Sequence, residues 1–358
     1  MKSKSVLFLL VAMLMVLVVA FAGCSKTEEP AAPASEEPAA ATEAPAETED
    51  AEEPAAGGDV FTIGIATDAG YPARSIEVIG IKEKADADPN VEYIEQNADN
   101  DSTKQIQQIK SMVDQGVDAI VVCAVDMNAI LTALDYAAEK GVIVTLYDRF
   151  VEHDAVQFVG GYDSNSDGVV CGEAFAKFDD GAEHVIFELV GNRADTNALA
   201  RSEGFHSVLD SHTNLTIVQI DTDWDAEMAL AGLQNQLQKY PDVWGIFNAS
   251  SHMDGAVTTA LGEVNKLIPC GEEGHVYLVS LGGEPPGLQT ALDGYTDVFM
   301  VIPFDEMGYA IYDALMTIRD GGTPAEDAYY CATYPVAHDE LQDKLEGIFA
   351  YKYKDMLE

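Results

Sequence analysis

From residue 61 to residue 302, short apolar segments alternate with segments of helical periodicity, and the pattern runs through twice. Few folds tolerate such an alternation. Residues 61–66, 91–94, 118–123 and 142–146 read as strands, and 74–87, 100–115 and the stretch marked by Ile130, Leu131, Leu134, Ala137 and Ala138 read as the helices between them. Gly116 and Gly141 stop two of these helices, and Ser102 with Gln105 fits a capping box. The run Val142-Ile143-Val144-Thr145-Leu146 has no polar alternation, the habit of a strand covered on both faces in a parallel sheet. A second series of strands is read at 185–189, 215–220, 243–247, 276–281 and 298–302, with helices such as 198–209 and 225–239 between them. Strand–helix–strand alternation predicts an α/β protein whose parallel sheets have right-handed crossovers, and two series predict two Rossmann-like lobes of one design.

In open sheets of this kind ligands gather beyond the carboxyl ends of the strands. Asp148 and Arg149 stand at the tip of the run 142–146 and offer an acceptor beside a forked donor. Taken alone, such a pair is also read as a local ion pair or a helix cap.

Charge narrows the partners. The chain carries 62 acidic and 19 basic residues, a net charge of −43, which argues against nucleic acid and anionic membrane surfaces and for solubility in an extracellular or salty setting. At the N-terminus Lys2 and Lys4 precede an apolar run from Val6 to Ala22, closed by Phe21-Ala22-Gly23-Cys24. A charged start, an apolar stretch and small residues before a Cys fit a leader of lipoprotein type over residues 1–23, with Cys24 as the expected site of lipid attachment. An uncleaved anchor is the rival reading. Residues 24–59 would then be a linker: between 25 and 59 there are eleven acidic residues, one Lys, and little besides Ala, Pro, Thr, Ser and Gly, which cannot build a core. This self-repelling spacer would hold the folded part away from the membrane.

Chemistry other than binding finds little support. Cys123 and Cys171 read as buried thiols, a Cys270–Cys331 disulfide is possible in an exported protein, and no Cys pair has metal-ligand spacing. The seven His residues are scattered, and Asp163-Ser164-Asn165-Ser166-Asp167-Gly168 opens like a calcium loop but reaches Ala174 at its twelfth position. No phosphate-binding Gly loop or nucleophile elbow is visible, so neither catalysis, cofactor nor metal is expected.

Several stretches carry a resemblance. Asn97-Ala98-Asp99-Asn100-Asp101, Lys104 to Ile109, Gln115 to Ile120, Tyr147-Asp148-Arg149, Phe158-Val159-Gly160-Gly161, Arg201 to Phe205, Asp223-Trp224-Asp225 and Glu306-Met307-Gly308-Tyr309 resemble the type I periplasmic sugar-binding proteins of ABC transporters, in register from residue 60 to about 336. The resemblance implies two lobes, 60–163 with 303–332 and 164–302 with 333–358. It places their crossings near Tyr162 and Asp163, Ile302 and Pro303, and Thr333, with closure around a solute. It also implies a monomeric, extracytoplasmic, lipid-anchored protein that captures a small polyhydroxylated molecule, a monosaccharide, and delivers it to an ABC transporter permease. A lipoprotein feeding a membrane sensor or chemoreceptor is the alternative. The similar effector core of lactose-repressor-type regulators is excluded by the leader and the lack of a basic DNA-reading module.

Residue by residue, Asp148 and Arg149 match the family's paired sugar-binding positions, Arg201 the Arg before Gly-Phe, and Trp224 a ring platform. Trp224 on its own chemistry is equally interdomain packing. Asn197 lies one helical turn before Arg201, on the same side. In the first loop, where only Pro72 matches, Asp68, Tyr71 and Arg74 supply an acceptor, a ring and a fork; a helix cap and a solvated first turn are the alternatives for Asp68 and Arg74. Arg suits vicinal hydroxyls as well as carboxylates, which leaves an acidic ligand open. The second lobe departs from the family. Ala249-Ser250-Ser251-His252 replaces an Asn-Asp, with Ser250 as the substitute, Gly282-Gly283-Glu284 replaces a turn carrying Asp, and Ile302 replaces a Gln. The second lobe is thus expected to lose polar partners.

Overall fold

A computed structural model describes residues 60–70 and 72–357. The leader run, Cys24, the acidic stretch to Asp59 and Tyr71 lie outside the described residues.

Twelve strands run in the order β1 (Phe61–Thr67), β2 (Val91–Asn97), β3 (Ala119–Val122), β4 (Ile143–Tyr147), β5 (Val156–Gly161), β6 (His184–Val190), β7 (Leu215–Asp221), β8 (Gly245–Asn248), β9 (Tyr277–Gly282), β10 (Val298–Val301), β11 (Ala328–Tyr330) and β12 (Tyr334–Ala337). They form two six-stranded sheets, ordered β11-β5-β4-β3-β1-β2 and β12-β10-β9-β8-β6-β7. The second order repeats the first element for element. Every pairing is parallel except β10 with β12. All of β3, and β4 from Val144 to Tyr147, are buried, as expected of strands covered on both faces.

Local expectations were corrected in three places. The segment 74–87 is two helices, Pro72–Glu77 and Ile79–Ala87, broken at Val78. The capping box does not form: Asp101 caps the helix Ser102–Asp114 by accepting from the Lys104 amide at 2.9 Å. Gln105 is instead fully buried, where its Nε2 donates to the Cys123 carbonyl at 2.7 Å and its Oε1 accepts from the Val125 amide at 2.9 Å. Leaving two such backbone groups dry is worse than leaving a helix end to water. The Cys270–Cys331 disulfide is absent; Cys123, Cys171 and Cys331 are buried free thiols and Cys270 a half-buried one. The calcium-like stretch is a helix start, with Asp163 accepting from the Ser166 amide at 3.0 Å.

Three segments carry the chain between the sheets. After β5 it passes through Tyr162 and Asp163 into the helix Ser164–Phe178, which lies against the helix Thr196–Leu209 of the second lobe. The two helices cross so closely that a Cβ on Gly168 would meet the Arg201 carbonyl at 2.0 Å, and one on Gly204 the Asn165 carbonyl at 2.1 Å. Two glycines therefore fix where Arg201 stands. After β10 the chain passes through Ile302 and Pro303 into the helix Phe304–Arg319, packed on Ile79–Ala87 of the first lobe. After β11 it returns through Cys331, Ala332 and Thr333 to β12. One apolar cluster spans these crossings and joins Ala73 and Ile76 of the first lobe to Tyr162, Phe304 and Phe349. Among the described residues no helix is long and apolar enough to cross a membrane.

Candidate functional site

The carboxyl ends of the parallel strands in both lobes deliver polar side chains to one place. In the first lobe Asp68 follows β1, Arg74 and Glu77 come from the helix Pro72–Glu77, and Asp148 and Arg149 follow β4. All five are buried. Arg74 is the centre of this group: its Nε lies 2.6 Å from Asp68 Oδ1, and its Nη1 lies 2.7 Å from Glu77 Oε2 and 2.6 Å from Asp148 Oδ2. Arg149 pairs with Asp68 at 3.0 Å and donates to the Ala124 carbonyl at 2.7 Å. Its Nε also lies 4.0 Å from Asp148 Oδ2, so the local ion pair that the dipeptide suggested is present but long.

The second lobe is built differently. Arg201 donates to the Ala249 carbonyl at 2.9 Å and to the Tyr162 hydroxyl at 3.0 Å, and its guanidinium lies 5.7 Å from the centre of the Trp224 ring. Trp224 donates from Nε1 to Asp195 Oδ2 at 3.0 Å. Its indole lies so close to the backbone after β6 that a Cβ on Gly191 would sit 2.2 Å from the ring. Ser250 Oγ lies 2.8 Å from His252 Nδ1 and donates to Glu284 Oε1 at 3.1 Å; Ser251 donates to the other oxygen of Glu284.

Contacts between the lobes close the site. Arg149 Nη2 reaches Asp195 Oδ2 at 3.1 Å. Asn197 Nδ2 donates to Asp148 Oδ1 and to the Tyr162 hydroxyl, each at 3.1 Å. Tyr162, the hinge residue, donates in turn to Asp148. Asp148, Asp223 and Trp224 have φ of 63°, 52° and 60°. Left-handed backbone at a Trp is strained and clusters at functional sites.

Two cavities meet here. The inner one, of about 30 Å³, is lined by Arg74, Glu77, Asp148, Asn197, Arg201, Ser250 and Glu284 among others, with Asp195 and Trp224 on its outer wall. It would hold one or two water molecules. The outer cavity, of about 420 Å³, lies beyond that wall and is lined by Arg149, Asp195, Asp223, Trp224 and Met127.

Protonation follows from burial and partners. Burial pushes the Glu77 carboxyl up to about 8, against the pull of Arg74. Burial acts on Asp148 too, but Arg74 and Arg149 outweigh it and hold that carboxyl below the usual carboxylate range. Burial raises Asp254, beneath this site, to about 7. It accepts from Asn248 at 2.6 Å and Ser280 at 2.8 Å and faces no cation.

Of the residues expected from sequence, Arg74, Asp148, Asn197, Arg201, Trp224 and Ser250 line the inner cavity, and Arg149 lines the outer one. Asp68 lies beneath them, fully buried between Arg74 and Arg149. Tyr71 lies outside the described residues. Sequence reasoning missed Glu77, Tyr162, Asp195, His252, Glu284 and Phe304. Glu77 stood three residues beyond Arg74, a helical pairing distance, and Asp195 immediately precedes a helix as its N-cap. The expected poverty of polar groups in the second lobe is overturned, because Glu284 and His252 both reach the cavity.

A family model described as "Periplasmic binding protein domain" matches residues 75–323. The ribose import binding protein of Bacillus subtilis is 31% identical over 170 residues, 47% of this chain and 54% of that protein, so the chain spans about half the length of this relative. The D-apiose import binding protein of Actinobacillus succinogenes is 26% identical over 265 residues, covering 72% of this chain and 81% of that one. Among solved structures, an ABC transporter solute binding protein from Bacillus halodurans with bound myo-inositol superposes with a TM-score of 0.72 at 20% identity, over 81% of this chain and 98% of that chain. A galactofuranose binding protein gives 0.72 at 19% identity, over 83% and 99%.

Proposed function

This chain belongs to the periplasmic binding protein domain family, and we propose that it is an extracytoplasmic receptor that closes its lobes on a neutral, polyhydroxylated solute, a monosaccharide or cyclic polyol, for an ABC importer. The observation that carries the reading is the convergence of Asp148, Asn197, Arg201 and Trp224, from both lobes, with Tyr162 of the hinge, on one cavity. Carboxylates and guanidiniums that alternate around a cavity match hydroxyl groups, which both donate and accept. The names of the relatives, import proteins for ribose and D-apiose, point the same way.

Charge separates a neutral sugar from a sugar acid. The inner cavity sets two arginines, Arg74 and Arg201, against Glu77, Asp148, Asp195 and Glu284. Even with Glu77 neutral at pH 7 the carboxylates outnumber the guanidiniums, and Arg149 is already divided between Asp68 and Asp195. An anionic ligand would enter a field of its own sign. Outside the described residues, we propose that Cys24 carries the lipid that holds the receptor at the membrane; loss of fatty-acid labelling in Cys24→Ser checks this, and undiminished labelling refutes it.

A thermal-shift panel of pentoses, hexoses and inositols, each beside its acid, tests the ligand class. A neutral member should raise the unfolding temperature by mass action, and Trp224 emission should change with it. Stabilisation by acids alone would sink the charge argument. Uptake that depends on this protein supports import, whereas ligand-dependent kinase output with unchanged uptake supports a sensor.

A further inference from the structure

Away from the cleft, on the loop that leads into β9, Cys270, His275 and Asp297 bring a thiol sulfur, an imidazole nitrogen and a carboxylate oxygen within 4.8 Å of one another. The sequence spacing does not announce this group, because Asp297 comes 22 residues after His275. The fold assembles it. Gly271 and Gly274 take φ of 81° and 86° and turn the loop back on itself, so that Cys270 and His275 face the same side. The Cys270 amide is pinned to the Gly294 carbonyl at 2.9 Å. Asp297 stands directly before β10, with its backbone amide on the Leu278 carbonyl at 2.9 Å and its Oδ2 accepting from the Leu278 amide at 2.8 Å.

We propose that Cys270, His275 and Asp297 form a binding site for a zinc-class transition metal, with solvent as the fourth ligand. The imidazole is oriented for the task. His275 Nδ1 lies 2.6 Å from the Ile268 carbonyl, which fixes the Nδ1–H tautomer and turns Nε2 toward Asp297 Oδ2 at 2.8 Å. A metal-ligating His almost always makes such a hydrogen bond from its other nitrogen, since it holds the ring and leaves Nε2 to bind the metal once its proton is displaced. A half-buried carboxylate that also holds a backbone amide is oriented in the same way. Sulfur and imidazole together select zinc, cobalt or copper over calcium and magnesium, which take oxygen ligands. Tetrahedral bonds of about 2.0–2.3 Å place ligand atoms roughly 3.3–3.6 Å apart. The cluster needs Nε2 and Oδ2 to part by about half an ångström and the Cys270 sulfur, within 4.8 Å of both, to settle at the same spacing. Binding releases two protons to solvent, one from the Cys270 thiol and one from His275 Nε2, which the hydrogen bond to Asp297 holds in the metal-free protein, and the resulting thiolate–metal bond ties the loop to the start of β10.

Among the described residues the other three cysteines are buried, so the site has a clean spectroscopic signature. The reduced full chain is titrated with Co²⁺ and then Zn²⁺, in parallel with Cys270→Ser and Asp297→Asn. The wild type should take up one equivalent of Co²⁺ with a thiolate-to-cobalt charge-transfer band, and Zn²⁺ should displace it. Cys270→Ser should lose the band, and Asp297→Asn should keep it with affinity lowered ~10-fold or more. Absence of the band in the wild type, or its survival in Cys270→Ser, overturns the proposal. The wild-type titration decides even if a variant fails to fold, and neither outcome depends on which sugar the cleft takes.

Discussion

The two halves of the cleft hold their arginines by opposite means. In the first lobe Arg74 touches three carboxylates and Arg149 pairs with Asp68, all of them buried. In the second lobe Arg201 rests on a carbonyl, a hydroxyl and the face of an indole. The first arrangement is a charge lattice whose members need one another to stay dry. The second leaves a cation whose direct contacts are neutral, with Asp148, Asp167 and Asp195 acting only at longer range, and among the described residues its buried Nε, like that of Arg149, has no hydrogen-bond partner. An unmatched buried donor is what a ligand oxygen can use. The lattice of the first lobe thus reads as a pre-organised floor, and Arg201 as the group with most left to offer.

Substitution should separate these roles. Arg74→Ala would strand Asp68, Glu77 and Asp148, and breaking such a buried cluster lowers stability by about 3–5 kcal/mol; urea unfolding measures it. Arg201→Ala should lower stability far less, yet weaken ligand binding ~10-fold or more, since each charged hydrogen bond contributes about 1.5–3 kcal/mol. Equal stability losses in the two variants would erase the distinction.

The smallest effect concerns pH. Asp254 accepts from the neutral Asn248 and Ser280, and burial, with a smaller push from Glu284, raises its pKa from 3.8 to about 7. A raised carboxyl pKa contributes stability that is complete below about pH 4 and lost as pH rises toward 7. Unfolding followed between pH 4 and 8 should therefore show a decline that flattens in Asp254→Asn. An unchanged slope would place the titration elsewhere, with Glu77 of the first lobe as the next group to examine.

Much of the fold was legible because it follows from local pattern. The unalternating runs of β3 and β4, the glycine stops and the repeated strand–helix rhythm declare a twice-wound parallel architecture without any knowledge of contacts. Of the strands that escaped notice, β11 and β12 are short, with three and four residues, and β5, with six, ends in Gly160 and Gly161, so they carry little periodic signal. Within the site, residues at strand tips were findable from their position, whereas Tyr162 acquires its role only through Asp148, Asn197 and Arg201 on both sides of the hinge, and Glu284 through Ser250 and Ser251, more than thirty residues before it.

The sequence by itself determined that parallel strands would present Asp148, Arg149 and Trp224 at their carboxyl ends, because burial pattern and chain direction are local properties. Tertiary structure alone decided which charge faces which. Arg74 passed over solvent for three carboxylates, Arg149 sits closer to Asp68 and to Asp195 in the opposite lobe than to its neighbour Asp148, and Cys270, His275 and Asp297 met through sheet register. The physical reason is desolvation: once closure removes water, each buried charge must find its partner in space, and nearness in sequence ceases to matter.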